Sequence, residues 1–233
     1  MATITLNGVS STTIQGLLIQ ELPPISKPKI RTLVEEVDGR DGDIITKLGY
    51  SAYDKEIKIG LTRNYDVNAV IKYFDSEGIV VFSNEPDKCY NFQILDQIDF
   101  EKLLRFKEAK VKLHVQPFKY ETDEEYIDVS GNPVSSIQVV NKGNIYARPT
   151  LEITGSGSIT VSLNGAEIFV IDMSNESRIV IDTESMNAYK DGVLKNRLVA
   201  GDYSSFQLDI GSNIITFTGS VTRVLVSNYS RWI

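Results

Sequence analysis

Short runs of alternating apolar and polar residues, typical of β-strands, occupy the first part of the chain. Residues 3–6 alternate and stop at Asn7-Gly8, a dipeptide that favours a two-residue hairpin turn. Apolar residues recur at every second position from Ile57 to Leu61, which predicts a half-buried strand from Tyr53 onward. Between these strands, prolines at positions 23, 24 and 28 predict an extended connection.

Helical spacing occurs once with a clear start signal. Asp66 can serve as the N-cap, because its carboxylate can accept a hydrogen bond from a backbone N–H of the first turn. Gly78 is the predicted C-terminal stop. Four apolar residues at the spacing i, i+3, i+4 and i+7 predict one stripe packed on the sheet: Val67, Val70, Ile71 and Phe74.

Three further strands follow the predicted helix. Residues 79–83 and 90–95 flank a polar loop and predict a hairpin. Residues 105–116 then form the clearest amphipathic strand, with apolar positions from Ala109 to Val115 alternating with Lys, His and Gln. Pro117 is the predicted end of that strand.

The second part of the chain has the pattern of a regular all-β module. Apolar alternation recurs at roughly 8–12-residue spacing, which favours a β-sandwich. The predicted strands are residues 137–140, 151–154, 159–163, 168–171, 178–181, 206–210, 214–218 and 221–226. The predicted turns are Gly143-Asn144, Gly155-Ser156-Gly157, Asn164-Gly165, Gly211-Ser212-Asn213 and Gly219-Ser220, of which Asn164-Gly165 is the most specific hairpin signal.

A dense run of acids separates the two parts. Glu121, Asp123, Glu124 and Glu125 fall within five positions, and Gly131 and Pro133 follow. Because like charges so close together resist burial, this segment favours an exposed connector. The sequence therefore predicts a mainly β protein with two domains: a β-rich domain with one α-helix over residues 1–130, and a β-sandwich over residues 131–233.

Composition limits the partners. The chain has 233 residues, 42% of them apolar, and a net charge of −7. The acidic balance argues against a tightly held nucleic acid, since duplex binders neutralise phosphates with clustered Lys and Arg. The longest apolar run, residues 79–82, is far too short for a membrane helix, and no basic-then-apolar leader follows Met1. A single cysteine, Cys89, excludes an intrachain disulfide and favours a reducing compartment during folding.

Residues capable of catalysis are scarce. His114 is the only histidine, and it sits in mid-strand among lysines, so a nucleophilic triad is not indicated. Asp182 and Glu184 are near neighbours, but nothing in the sequence pairs two carboxylates across a cleft. Asp172, Asp182 and Asn187 lack the dense oxygen-ligand spacing of a calcium loop. The sequence therefore predicts no enzyme, no cofactor and no metal.

Several short segments, taken in order, resemble the distal tail (Dit) proteins of long-tailed bacteriophages. In the first part they are Gly39-Arg40-Asp41-Gly42, the strand around Ile57-Lys58-Ile59, Phe106-Lys107-Glu108-Ala109 and residues 115–120. In the second part they are Asn141-Lys142-Gly143-Asn144, Pro149, the Gly155–Gly157 turn, Asn164-Gly165, Ile181-Asp182, Gly201-Asp202-Tyr203 and residues 211–215. The resemblance covers nearly the whole chain and implies an N-terminal belt domain followed by a galectin-like sandwich.

The resemblance also implies a function and a set of partners. It implies a homohexameric ring, also possible as two stacked rings, at the distal end of the tail tube, assembled in the host cytoplasm and residing in the virion. Its neighbours would be the major tail protein, the tape-measure protein, a tail-associated lysin or fibre protein and, in some tails, a receptor-binding protein. DNA would pass through the lumen without specific binding. No membrane is implied.

The segment Gly39, Arg40, Asp41 and Gly42 is the candidate subunit contact. Two glycines permit positive φ there, and exposed strand edges nearby suit the heterologous contacts that close a ring. An ordinary local turn explains the same residues equally well, so both interpretations stay open.

Two other classes of protein remain as alternatives. A carbohydrate-binding module on a virion or cell surface predicts exposed aromatic residues on one sandwich face; the candidates are Tyr189, Tyr203, Tyr229 and Trp232. A glycoside hydrolase or lyase predicts a cleft with paired carboxylates.

Overall fold

The structure, a computed structural model, describes residues 2–98, 100–123 and 126–233. Glu124 and Glu125 of the predicted acidic connector lie outside the described residues. The chain divides into two compact units, the first ending at Thr122 and the second running from Asp123 to Trp232. Strands dominate both units, as the mainly β prediction requires.

The first unit is an antiparallel sheet with two short helices. Its elements are β1 (Ile4–Leu6), β2 (Val9–Ser10), β3 (Leu17–Glu21), β4 (Ile30–Glu36), β5 (Asp43–Tyr50), β6 (Tyr53–Leu61), α1 (Val67–Phe74), β7 (Glu77–Phe82), β8 (Glu85–Gln93), α2 (Phe100–Phe106) and β9 (Glu108–Glu121). The sheet has the strand order β2-β1-β7-β8-β9-β6-β3, whereas β4 and β5 form a separate two-stranded sheet. Alternate residues of β6 and β9, such as Ile57, Ile59, Val111 and Leu113, are fully buried in its core.

Helix α1 begins at the predicted cap but buries a different face and ends earlier than predicted. Asp66 Oδ1 accepts hydrogen bonds from Asn68 N (2.9 Å) and Ala69 N (3.2 Å). Ile71 is 40% exposed and Tyr73 is buried instead, because the Tyr73 hydroxyl donates towards two backbone carbonyls of the β1–β2 hairpin, 3.1 Å from each. The helix ends at Phe74.

The predicted helix stop at Gly78 was wrong, since Gly78 lies inside β7. Its φ of +130° suits glycine there, and a Cβ would collide with the Asn7 side-chain oxygen. The requirement for glycine therefore comes from the neighbouring strand and not from a helix end.

Strand β9 continues through Pro117, contrary to the predicted end of the strand. Val115 pairs with Phe92 and Lys119 pairs with Tyr90, so three residues of β9 face one residue of β8. This bulge contains Pro117, where the missing N–H disrupts no ladder bond. The start of the predicted strand was also wrong, because Arg105 and Phe106 belong to α2, which the sequence analysis did not predict.

The second unit is an antiparallel β-sandwich. Its strands are β10 (Ile127–Ser130), β11 (Ser136–Asn141), β12 (Thr150–Leu163), β13 (Ala166–Met173), β14 (Arg178–Asp182), β15 (Asn187–Lys190), β16 (Val193–Leu194), β17 (Val199–Gly201) and β18 (Gly211–Ser227). The main path runs β10-β18-β12-β14-β15-β16, with β11 on β18 and with β13 joining β12 to β17. Because β10 pairs with β18, the unit begins eight residues before the predicted domain boundary at 130–131.

Two long strands, β12 and β18, each replace two predicted strands. The predicted turns at Gly155–Gly157 and Gly219-Ser220 were wrong: both lie within continuous strands and face each other where the register shifts. A Cβ on Gly155 would approach Ser220 O to 2.4 Å, and one on Gly219 would approach Ser158 O to 2.4 Å. Glycine is needed there because the two backbones come too close for any side chain.

Two other local predictions in the second unit also fail. Residues 206–210 contain no strand longer than an isolated bridge at Leu208, and Gly211-Ser212-Asn213 opens β18 instead of forming a turn. Asn213 is fully buried, and its amide bonds to Asp209 O and Gly211 O, so it fixes the entry to the strand.

Both Asn-Gly dipeptides form the predicted two-residue turns. Asn164 and Gly165 have φ values of 50° and 88°, and Asn7 and Gly8 have 49° and 80°. Each asparagine also accepts a backbone hydrogen bond from a neighbouring strand through Oδ1, Asn164 from Ile214 N (2.9 Å) and Asn7 from Ile79 N (2.8 Å).

We predict that Gly219→Ala destabilises the second unit by about 3 kcal/mol, because it adds a steric collision to backbone strain at φ +114°. Gly211→Ala is the matched control: its φ is +92°, but its Cβ would meet open space, so a loss of about 1 kcal/mol is expected. Urea unfolding of both variants measures the difference. Equal losses would contradict the close approach of β12 and β18.

Candidate functional site: an exposed β-hairpin

The most unusual feature of the first unit is the hairpin of β4 and β5, called the arm below and comprising residues 30–50. Its register runs from Ile30 opposite Tyr50 to Glu36 opposite Asp43. Arg31 faces Gly49 and Thr32 faces Lys47, so Leu48 is an extra residue in a bulge. The turn is closed by Arg40 N donating to Val37 O (3.0 Å).

Apolar side chains of the arm are open to solvent. Among the described residues, β4 and β5 pair only with each other, so both outer edges are unpaired. Five large apolar side chains are 47–62% exposed: Leu33, Val34, Val37, Ile45 and Leu48. A two-stranded hairpin is marginally stable in water by itself, and exposed apolar clusters mark interaction surfaces. The arm therefore has the properties of a surface that another protein covers.

Neither face of the arm packs against a hydrophobic core. Val34 lies opposite Ile45 on one face, and Leu33 lies opposite Thr46 on the other, because side chains alternate along a strand. All four residues are exposed. Contacts on both faces and along both edges are therefore available for association.

The root of the arm is anchored to the main sheet. The extended connection before β4 is fixed by Lys55 Nζ donating to Pro24 O (3.0 Å) and Asn84 Nδ2 donating to Pro23 O (3.0 Å). Ser51 N donates to Lys29 O (2.8 Å), and the ring of Tyr50 packs edge-on against Phe118 with centroids 5.5 Å apart. The arm is thus exposed along its length but held at its base.

Lys55 is the unusual residue of this anchor, since it is only 3% exposed. Its ammonium lies over the Tyr90 ring at 4.8 Å, and the Glu85–Lys119 ion pair (2.7 Å) is close by. Burial lowers the pKa of Lys55, Glu85 partly offsets this, and Lys119 lowers it further. Burial and a hydrogen bond to Glu85 raise the pKa of Tyr90, so its hydroxyl stays a donor.

The candidate contact residues Gly39, Arg40, Asp41 and Gly42 form the tip of the arm. All four are exposed, and Gly39 and Gly42 have φ values of +81° and +78°. Open space surrounds both glycines, so backbone conformation is what requires them. Their role in a subunit contact stays a prediction. Five further residues of the arm and its root were not predicted from the sequence: Leu33, Val34, Ile45, Leu48 and Lys55.

The candidates for catalysis lie apart from one another and have structural partners. His114 Nδ1 is 2.8 Å from Asp54 Oδ1 on the outer face of β6 and β9. Three ion pairs lie near this contact: Lys58–Glu108, Lys110–Glu56 and Lys112–Asp96. Cys89 is buried in β8.

The carboxylates considered for hydrolysis or calcium binding hold local turns. Asp182 accepts hydrogen bonds from Glu184 N, Ser185 N and Ser185 Oγ, and Glu184 pairs with the buried Arg231 at 2.8 Å. Hydrogen bonds from Ser174 lower the pKa of Asp172. Within the described ranges, no group of three or more His, Cys, Asp or Glu side chains is placed to hold a metal ion.

A cleft of about 310 Å³ beside the arm root brings together Glu21, Asp54 and Glu56. Three lysines line it as well: Lys55, Lys58 and Lys110. Glu56 is paired with Lys110 at 2.6 Å and Asp54 with His114 at 2.8 Å. Two of its three carboxylates therefore already have a side-chain partner.

The four aromatic candidates for glycan binding do not form an exposed face. Tyr229 is buried, and Tyr189, Tyr203 and Trp232 are half-buried. Tyr203 packs against Phe169 with ring centroids 5.1 Å apart. The aromatic platform that a carbohydrate-binding module needs is therefore not made by these residues. Across the described part of the chain, no helix has the length and apolar composition needed to cross a bilayer.

The first unit is therefore a mainly β unit with an exposed hairpin, and the second unit is a β-sandwich. No protein-family model and no curated protein matches this sequence. Among solved structures, the chain is similar to the Dit protein of phage SPP1, described as a paradigm of the hub adsorption apparatus in phages that infect Gram-positive bacteria. The two share 16% identity over 100% of both chains, with a TM-score of 0.68.

Two structures of the phage P2 baseplate in its activated conformation are also similar to the chain. The calcium form shares 9% identity with a TM-score of 0.51 and covers 97% of each chain. The strontium form shares 10% identity with a TM-score of 0.54 and covers 97% of this chain and 96% of that one. The chain therefore has a Dit-like fold along essentially its whole length, as the sequence resemblance implied.

We predict that Lys55→Met releases the arm root without unfolding the unit. The substitution removes the hydrogen bond to Pro24 O, but it also removes a buried charge, so global stability should change by less than about 2 kcal/mol. Trypsin cleavage after Lys29 should become faster. Lys58→Met, at a half-buried position of the same strand, is the control and should leave that cleavage unchanged. Equal cleavage in both variants would show that Lys55 does not anchor the connection.

Proposed function

We propose that the protein is a structural component of a long-tailed phage virion that forms a hexameric ring at the distal end of the tail. The observation that supports this most is the exposed arm on a fold that matches SPP1 Dit over the whole of both chains. The strand edges and the apolar residues of the arm are uncovered, so the arm needs a partner. A closed ring gives every copy of the chain an identical partner.

In this proposal the ring is an assembly hub. It would connect the tail tube, through the major tail protein and the tape-measure protein, to a tail-associated lysin or fibre protein. A receptor-binding protein is a further partner. The rings would assemble in the host cytoplasm, either singly or as two stacked rings, and remain at the tail tip.

The proposed role needs no catalysis. His114 contacts Asp54, Asp182 holds a turn and Glu184 pairs with Arg231, and His114 lies on a different strand from the other two. Sheet surfaces that join proteins are therefore what we propose as the working parts of the molecule. The carbohydrate-binding alternative is not favoured, because its aromatic residues are buried or half-buried.

The ring is tested by imaging and mass measurement. We expect purified protein to show particles with a central hole in negative stain. Light scattering should give about 156 kDa, which is six copies of 26.0 kDa, or twice that for stacked rings. Smaller oligomers are expected to convert to rings when tail partners are added. A particle that stays a single copy at high concentration, alone and with partners, would overturn the proposal.

The lumen is expected to let DNA pass without holding it. Residues 1–128 contain 22 acids and 16 bases, a net charge of −6, of which the first unit (residues 1–122, 18 acids and 16 bases) carries −2, so six copies offer no basic surplus to the phosphate backbone. Fluorescence anisotropy with duplex DNA at ~50 mM salt should show no binding up to about 10 µM protein. Salt-dependent binding in the low micromolar range would contradict a passive lumen.

A further inference from the structure

Charge along the arm is separated into two ends. The tip, residues 35–43, has five carboxylates against one arginine, Arg40: Glu35, Glu36, Asp38, Asp41 and Asp43. The root, taken as residues 47–50 and 27–31 so that it includes the end of the connection before β4, has four bases and no acid: Lys27, Lys29, Arg31 and Lys47. The tip therefore has a net charge of −4 and the root of +4, and all ten side chains are exposed.

The two ends of one arm are too far apart to neutralise each other. The nearest acidic and basic positions are Glu35 and Lys47 on the paired strands, about 11 Å apart between backbones, and Asp43 is about 14 Å from Lys47 along β5. The Debye length at physiological ionic strength is about 8 Å, so this attraction is largely screened. In the described part of the chain, none of the ten lies within ion-pair distance of an opposite charge.

Between the charged ends lies the apolar part of the arm. Leu33 and Val34 of β4 and Ile44 and Ile45 of β5 form this middle zone. Apolar area supplies affinity, and charge supplies direction and register. Two arms placed side by side in the same direction would bring tip against tip and root against root, and like charges disfavour that arrangement.

We propose that the acidic tip of each arm docks on the basic root of the next copy of this chain, so that charge polarity makes the association head-to-tail. This inference rests on the proposed ring, because a ring needs two different surfaces that recognise each other. A two-fold antiparallel pair of arms also joins tip to root, but it closes at two copies, so the size of the particle distinguishes the two arrangements.

The test uses matched charge reversals in the full chain. The tip-reversed variant has Glu36→Lys, Asp41→Lys and Asp43→Lys, which changes the tip from −4 to +2. The root-reversed variant has Lys27→Glu, Lys29→Glu and Arg31→Glu, which changes the root from +4 to −2. Both alter exposed positions outside the core, and circular dichroism melts confirm that each variant folds.

Each reversed variant alone has ends of like sign, so we expect the concentration for half-assembly to rise about tenfold or more. Mixed in equal amounts, the two variants have complementary ends and should assemble together into rings. The chain with all six reversals keeps the net charge of the natural chain and should assemble by itself. The defects of the single variants should shrink at about 1 M salt, where screening shortens the Debye length to about 3 Å.

Three outcomes would overturn the inference. If the natural chain forms rings and both reversed variants form them equally well, tip and root do not meet and only the proposed ring survives. If the mixture fails to assemble, the two ends do not recognise each other. If the mixture stops at two copies, the arms pair antiparallel and not head-to-tail. A natural chain that forms no ring would instead count against the proposed function itself.

Discussion

An isolated β-hairpin cannot bury its own apolar side chains, and this constraint governs how the molecule works. The arm offers only two strands, so Leu33 and Val34 point to opposite faces and neither face has a layer to pack against. Each of the two units has its own buried apolar core, to which the arm contributes no residue, although other apolar side chains such as Leu95, Leu194 and Ile210 are also exposed. Folding of a single chain therefore leaves the arm without a covering layer, and we propose that association with another molecule supplies one.

The unfinished arm is attached to a rigid base. Buried Lys55, held between Pro24 O and the ring of Tyr90, fixes the proline-rich connection from which β4 begins. A charge in that position is costly unless hydrogen bonds and aromatic rings surround it, and the nearby Glu85–Lys119 pair supplies further charge balance. A fixed base gives the free part of the arm a defined direction, which reduces the entropy lost when a partner binds.

The sequence predicted several turns and caps that depend on neighbouring residues, but it did not predict contacts between distant parts of the chain. The Asn7-Gly8 and Asn164-Gly165 turns and the Asp66 cap depend on residues within a few positions, so composition predicts them. Gly155 and Gly219 look like turn residues for the same reason. Gly155 and Gly219 instead lie where the backbones of β12 and β18 come close together. The two glycines are 64 residues apart in sequence, so only the folded chain reveals this contact. The strand end predicted at Pro117 was wrong for the same reason, since the bulge that accommodates this proline depends on pairing with β8.

The exposure of the arm could not be predicted from the sequence either. The apolar residues of β4 look in the sequence like those of a core strand, because the sequence records which residues are apolar and not whether a second layer covers them. The charge polarity of the arm is visible in the sequence, but its meaning appears only once the two strands are known to share one exposed hairpin. At 16% identity the fold survives while most side chains differ, so the likeness to SPP1 Dit identifies the architecture. The arm of this chain has an uncovered apolar centre between ends of opposite charge, and on that pattern rests our proposal that it recognises another copy of the same chain.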